Sequence, residues 1–540
     1  MSEIVIVDIK HISSIDIATD KIKQYQNKQI IALTPYSFYL LDSLNLEYKT
    51  LHSYVSTEVF RDRVLSNINL IEKNLESECR GLLVDLIRYM SFIEYERTIK
   101  YILELSNVSD IIYITDIKNI EYDLTNNTSI LSTLNNTNIK WILIPRIDNK
   151  ILIKLNNISL KKIIAKLVGK LLNIEIHYDW ENFVWLIFRY SVLTHSFKQK
   201  EKIKSACKKI NLDQITLESF YKIPVENLFK KRVIQEGGVV FKTWLSSADS
   251  HFNILNRKAF FYQHGNYFYK NIILKYSEII PADVNFVFNG YTKKLFENLG
   301  VKKVYSVGSI LCNKTIKERK KEYDFLYITQ GHDYMGNSQY VDFSNSLHSF
   351  DGCELYQRHK AIIELFGTKF KDKQILIRVH PVVITTGVYV PFWELSELYS
   401  NITIDVNMSM HILIEKSRYI ISDYFTSGFI NRELHYKRDI ILFEGAPTPL
   451  PEETVEDMKK MFILVNSVDS LSKTISNIGI ITKNRKRYDN IIEYYSSKRC
   501  DTKKVVVKTI ERRVKGSLGK LESVAINDVI SRTCNGKQLL

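Results

Sequence analysis

Several stretches of this chain place reactive side chains directly after a run of apolar residues. Ala259–Gly265 reads AFFYQHG and ends in Gln263, His264 and Gly265, with Asn266 next. Gln374–Pro381 reads QILIRVHP and ends in His380 and Pro381. In Tyr419–Gly428, YIISDYFTSG, an apolar β-branched run stops at Ser422 and Asp423, and Thr426 and Ser427 follow. Tyr323–Thr329, YDFLYIT, runs into Gln330 and Gly331. Short apolar runs of this kind read as buried strands, and ligands of open α/β sheets bind beyond the carboxyl ends of the strands. A helix start presents unpaired N–H groups and a positive dipole end, so Thr426 and Ser427, ahead of the helix-like Phe429–His435, suit a phosphate. The same two residues could simply cap that helix; polar groups recurring at strand ends favour a site. Gly331, in a turn directly after a strand, lets the backbone approach a donor phosphate closely.

The elements that must carry these groups follow from the order of the apolar runs. Glu3–Asp8 and Lys28–Leu33 read as strands around a helix-length polar segment, with Thr34-Pro35-Tyr36-Ser37 as a turn. Residues 56–107 read as two or three helices, and Asp110–Thr115 and Ile139–Ile144 return to the sheet. Residues 158–232 read as a helical insertion, in which 161–171 forms a basic amphipathic helix, either a solvated face or a contact with anionic lipid. Strands resume at Val239–Lys242, Ala259–Tyr262, Val284–Phe288 and Val304–Val307, and the loop after the first of these holds Asp249 and His251. The charged run 314–322 reads as a linker. A second set of about five parallel strands follows to residue 483, with a helix over 351–366 and a basic helical tail over 484–540.

This predicts an α/β chain of two Rossmann-like parallel-sheet domains facing a central cleft, 1–313 and 323–483. A length of 540 residues agrees with two domains. Hydrophobic residues at 45% and charged at 25% are those of a soluble globular protein. The net charge of +15 suits anionic substrates, an anionic membrane face or nucleic acid. Zinc-finger spacings, RNP-like motifs and basic-region heptads are absent from the sequence, so nucleic acid is not the expected partner. The six cysteines lie far apart, which indicates neither a metal site nor a disulfide framework. No signal peptide and no run of eighteen apolar residues occurs, so the expected location is the cytoplasm, with peripheral contact at the inner membrane face.

A His-Pro at one strand end and a Ser/Thr cluster after the next strand but one resemble bacterial surface-polysaccharide transferases of the two-domain GT-B type. The likeness is to cytidine-nucleotide users: capsule sialyltransferases, Kdo transferases and CDP-glycerol glycerophosphotransferases of teichoic-acid synthesis. It covers residues 235–445, through His264-Gly265, His380-Pro381 and Ser422-Asp423-Tyr424 with Ser427. The chain departs from these families at Phe425-Thr426-Ser427-Gly428, where sialyltransferases carry a Ser-Ser pair. It departs again at Asn266-Tyr267-Phe268-Tyr269, where glycerophosphotransferases carry Thr-Pro-Leu-Lys.

The resemblance implies transfer of a Kdo-like or sialic-acid-like sugar from a CMP-linked donor, or of glycerophosphate from a CDP-linked one, to a glycan or lipid-linked glycan. It implies no metal and no cofactor beyond that donor. His264 is the first candidate for general base, because imidazole titrates near neutrality; it could instead bond the backbone of its own turn. Asp249 is the second, as base or nucleophile, or else a helix cap. His380 and Pro381, with Ser422, Thr426, Ser427, Gln330 and Gly331, would hold the donor, and Gln263, Asn266 and His251 the acceptor. Glu415 or Glu444 would take ribose hydroxyls, and Arg378 reads as an edge charge. A nucleotide-sugar epimerase on the same fold is the alternative enzyme; a degenerate anion-binding or nucleic-acid-binding protein is the alternative outside enzymes.

Overall fold

The computed structural model describes residues 2–9, 15–56, 108–116, 138–145, 239–242, 258–263, 284–308, 319–329, 352–379, 389–423, 439–444, 452–486 and 488–496, with residues 59, 62, 63, 66, 101, 102, 505, 506, 508 and 509. The expected helices of 158–232 and most of 56–107 lie outside these residues.

Strands β1 (Ser2–Asp8), β2 (Gln29–Ala32), β3 (Val108–Thr115) and β4 (Asn138–Leu143) form a parallel sheet in the order β2-β1-β3-β4. Strands β5 (Val239–Lys242), β6 (Lys258–Tyr262), β7 (Val284–Val287) and β8 (Val304–Ser306) form a second, in sequence order. Among the described residues no ladder joins β4 to β5.

The third sheet comprises β9 (Tyr323–Ile328), β10 (Ile375–Arg378), β11 (Ile402–Asp405), β12 (Ser417–Ser422), β13 (Ile440–Phe443) and β14 (Ile463–Val465). Its order is β11-β10-β9-β12-β13-β14, all parallel, which is the doubly wound Rossmann arrangement with its reversal between β9 and β12. The chain is thus an α/β protein of parallel sheets, and the six strands of this part fall on the apolar runs read from the sequence.

The described helices are α1 (Ile15–Lys23), α2 (Pro35–Ser43), α3 (Gly290–Asn298), α4 (Gly352–Thr368), α5 (Phe392–Ser396), α6 (Met410–Lys416), α7 (Glu452–Met461), α8 (Val468–Ser476), α9 (Ile478–Asn484) and α10 (Asp489–Tyr495). The turn expected at Thr34–Ser37 is the start of α2. Thr34 caps it by accepting from the Ser37 N–H, and Pro35 occupies the first turn, where its missing N–H costs nothing.

The third sheet is buried on both faces, which explains its continuous apolar runs. One face packs Leu326, Leu376, Ile420 and Leu442 against α6, α7 and α10. The other packs Phe325, Tyr327, Ile377 and Ile421 against α4 and α8. In α4 the buried positions Leu355, Tyr356, His359, Ile362, Ile363 and Phe366 recur at helical spacing.

This second core continues without a break into the first sheet, through α2 and residues such as Val5, Val7 and Ile114. Phe38 and Tyr356 meet at 5.7 Å between ring centroids. Asp42 of α2 accepts from Tyr356 at 3.2 Å and Lys360 at 2.8 Å, both on α4. Tyr36 of α2 meets Tyr389 edge-on at 5.4 Å.

The segment that follows the third sheet packs back onto both that sheet and the β5–β8 sheet. Ile492 and Tyr495 of α10 sit in the core of the third sheet. The Asn289 side chain donates to the Tyr495 carbonyl at 2.6 Å, and the Tyr291 ring lies 5.0 Å from that of Tyr495. Val506 is buried with Phe260, Tyr262, Phe286 and Phe288 in the core of the β5–β8 sheet.

Near the end of α4, Gly367 lies so close to Tyr399 that a Cβ there would sit 2.2 Å from its ring. Gly367→Ala is expected to lower stability by about 1–3 kcal/mol through overpacking. Urea denaturation followed by circular dichroism checks this, with the midpoint falling and the slope unchanged.

Candidate functional site

The strand order reverses between β9 and β12, the position at whose carboxyl ends open α/β sheets take ligands. The two strands end level, Ser422 opposite Ile328, and the Asp423 N–H extends the ladder by donating to the Ile328 carbonyl at 3.2 Å. Thr329 closes β9, its N–H and hydroxyl both donating to the Arg378 carbonyl, at 3.2 and 3.3 Å. Beyond Thr329 come Gln330 and Gly331; beyond Asp423 come Thr426 and Ser427.

Asp423 is fully buried. The Tyr327 hydroxyl donates to its Oδ1 at 2.6 Å, and His359 Nε2 lies 2.7 Å from its Oδ2, with both His359 and Asp423 at 0% exposure. The imidazole also lies 5.0 Å from the Phe392 ring, and the Arg358 guanidinium rests 4.9 Å above the Phe443 ring. Burial pushes the Asp423 carboxyl up, but His359, Arg358 and the Tyr327 hydroxyl outweigh it and hold the group below the usual carboxylate range.

Arg378 is corrected from an edge charge. It sits on β10, between β9 and β11, is 8% exposed and pairs with Asp405 of β11 at 2.8 Å. Burial pulls its pKa down and Asp405 opposes that shift. Glu415 is also corrected, because it precedes β12 and so lies at the amino end of the sheet, where Arg319 donates to its side chain at 2.6 Å. Glu444 follows β13 at the carboxyl end.

Of the donor residues, Ser422 is described, and it is buried at the end of β12. Of the acceptor residues, Gln263 is described. Its Oε1 accepts the Phe288 N–H at 2.5 Å and its Nε2 donates to Thr292 at 3.4 Å, so this buried amide braces β6 against the start of α3. His264, Asp249, His251, Asn266, Gln330, Gly331, His380, Pro381, Thr426 and Ser427 lie outside the described residues. Among the described residues no group of three or more His, Cys, Asp or Glu could hold a metal ion, and no helix is long and apolar enough to cross a membrane.

The sequence reading passed over Tyr327 and His359. A signal existed: His359 holds an inward position in an otherwise apolar helix stripe, LYQRHKAIIELF. A histidine there needs a polar partner.

No protein-family model matches the chain, and no curated protein matches it. Among solved structures it is similar to the UDP-GlcNAc 2-epimerase of Methanocaldococcus jannaschii in complex with UDP-GlcNAc and UDP, at 12% identity, covering 94% of this chain and 99% of that one, with a TM-score of 0.33. The UDP-GlcNAc 2-epimerase of Neisseria meningitidis bound to UDP-GlcNAc aligns at 9% identity over 94% of this chain and 100% of that one, with a TM-score of 0.33. S. aureus TarM aligns at 10% identity over 55% of each chain, with a TM-score of 0.28. These scores are low, and the fold assignment rests on the strand ladders themselves.

Because the Asp423 pKa is depressed in the fold, its contribution to stability is present above the unfolded value and is lost as pH falls through the folded one. Asp423→Asn is expected to lower neutral-pH stability by about 3 kcal/mol or more, the usual consequence of breaking a buried pair. The two proteins should converge in stability below about pH 4. Denaturant titrations across pH check both expectations.

Proposed function

We propose that this chain is a glycosyltransferase of bacterial surface-polysaccharide synthesis whose nucleotide-activated donor binds beyond the carboxyl ends of β9 and β12. The observation that carries the reading is the doubly wound order of the third sheet. It sets Thr329 and Ser422-Asp423 side by side at the reversal, the place where such sheets take nucleotides. The residues that follow them, Gln330-Gly331 and Thr426-Ser427, supply a permissive backbone and hydroxyl donors. The motif resemblance adds His380-Pro381 for the donor phosphate, and a donor carrying cytidine, either a CMP-linked Kdo-like or sialic-acid-like sugar or CDP-glycerol.

In this reading His264, or Asp249 in its place, takes the proton of the acceptor hydroxyl. The freed oxygen attacks the anomeric carbon, the bond to the donor phosphate breaks, and the departing nucleotide keeps the electron pair. His380 and the hydroxyls of Thr426 and Ser427 stabilise that charge. With glycerophosphate as the transferred group the attack falls on phosphorus instead. Gln263, His251 and Asn266 bind the acceptor in this reading, a glycan or lipid-linked glycan met at the inner membrane surface.

A melting-temperature panel of CMP, CDP, UDP, GDP and ADP tests the proposal, on the wild type and on His380→Ala. A nucleotide at a hundred times its Kd adds about 2.7 kcal/mol to the folded state. The expected result is stabilisation by CMP or CDP alone, lost in the variant. A response to UDP or GDP alone overturns the cytidine assignment, and no response to any nucleotide overturns the donor reading.

A further inference from the structure

We infer that Tyr327 and His359 are positioning residues of the nucleotide site, which they fix by clamping Asp423 at the point where the chain leaves β12. The inference rests on the donor reading above and assigns that site two residues outside the sequence motifs.

Three observations carry it. Asp423 is held at its N–H and at both carboxylate oxygens: the N–H by the Ile328 carbonyl at 3.2 Å, Oδ1 by Tyr327 at 2.6 Å, and Oδ2 by His359 at 2.7 Å. Those partners come from separate elements, β9 and α4, so the position of Asp423 is fixed relative to both the strand and the helix. The carboxylate and imidazole are fully buried, and buried pairs of this kind often add no stability over apolar side chains of similar volume, which leaves the fixing of geometry as their contribution.

The reach of the chain makes the restraint local. Thr426 is three residues beyond Asp423, and three extended residues span at most about 10 Å. Chain length alone keeps the Thr426 backbone within that reach of the clamp. The same turn of α4 is held from its other side, where Tyr356 and Lys360 grip Asp42 of α2. Burial, then Asp42, holds the Tyr356 phenol above its usual range, so it acts as a donor and not as a charge. The helix that presents His359 is thereby fixed between the two sheets.

Calorimetric titration of the full chain with CMP, CDP and UDP tests the inference on wild type, Tyr327→Phe, His359→Leu, His359→Gln and Gly367→Ala. Tyr327→Phe deletes one bond at nearly constant volume, and Gln keeps an N–H donor near the place of Nε2. Loss of a charge-assisted hydrogen bond should raise the nucleotide Kd about tenfold in Tyr327→Phe and His359→Leu, with His359→Gln within about threefold of wild type. Gly367→Ala, which loosens the same helix through Tyr399, should leave Kd unchanged. Folded Tyr327→Phe and His359→Gln proteins that both bind as wild type, with His359→Leu either binding as wild type or failing to fold, overturn the inference and leave the donor reading intact. An equal loss in Gly367→Ala also overturns it, because the effect is then global. A wild type that binds none of the three nucleotides overturns the donor reading, and the inference with it.

Discussion

An ionised carboxylate without access to water is stable only where other groups replace its hydration shell, and Asp423 imposes that demand on several elements at once. Tyr327 must project from β9 to meet it, and His359 must face inward from α4. With His359 fixed, the helical spacing of α4 directs Leu355, Ile362 and Phe366 into the sheet, and Tyr356 and Lys360 toward Asp42 of α2. One buried charge thereby sets the depth and rotation of the helix that joins the first and third sheets. Apolar packing alone would tolerate small rotations of that helix; two short hydrogen bonds to one carboxylate do not.

The two ends of the third sheet use charge differently. At the amino end, Glu415 is enclosed and held by Arg319, and Lys321 donates to its carbonyl at 2.7 Å. At the carboxyl end, Arg378 pairs with Asp405, and both oxygens of Asp405 accept the Met408 N–H, so this guanidinium is largely neutralised within the fold. The described strand ends therefore contribute direction and hydrogen bonds more than positive charge.

The strands were legible in the sequence because a parallel sheet covered on both faces needs continuous apolar runs, and these stand out between charged helices. Val239–Lys242 and Ile402–Asp405 match their strands to the residue, and the helix expected over 351–366 spans Gly352–Thr368. Side-chain roles were harder, because they depend on which elements become neighbours. His359 and Asp423 are 64 positions apart, and nothing local in either stretch names the other. Gln263 ends a strand and reads as a ligand group; that its amide also bonds the Phe288 N–H and Thr292 is visible only once β6 and α3 are adjacent. Arg378 looked marginal because sequence order does not reveal that β10 lies inside the sheet. The start of α2 was readable, since Thr-Pro-x-Ser is a capping pattern, and it was passed over for a turn.

The burial of Val506 among Phe260, Tyr262, Phe286 and Phe288 has a consequence for how the chain is made. Domains of a nascent protein generally fold as units, the N-terminal one first, as synthesis proceeds at ~5–20 residues per second. The core of the β5–β8 sheet cannot be completed on that schedule, because one of its members emerges roughly two hundred residues later, on the order of ten seconds or more. For that interval Phe260, Tyr262, Phe286 and Phe288 lack the Val506 side chain that packs with them in the finished fold.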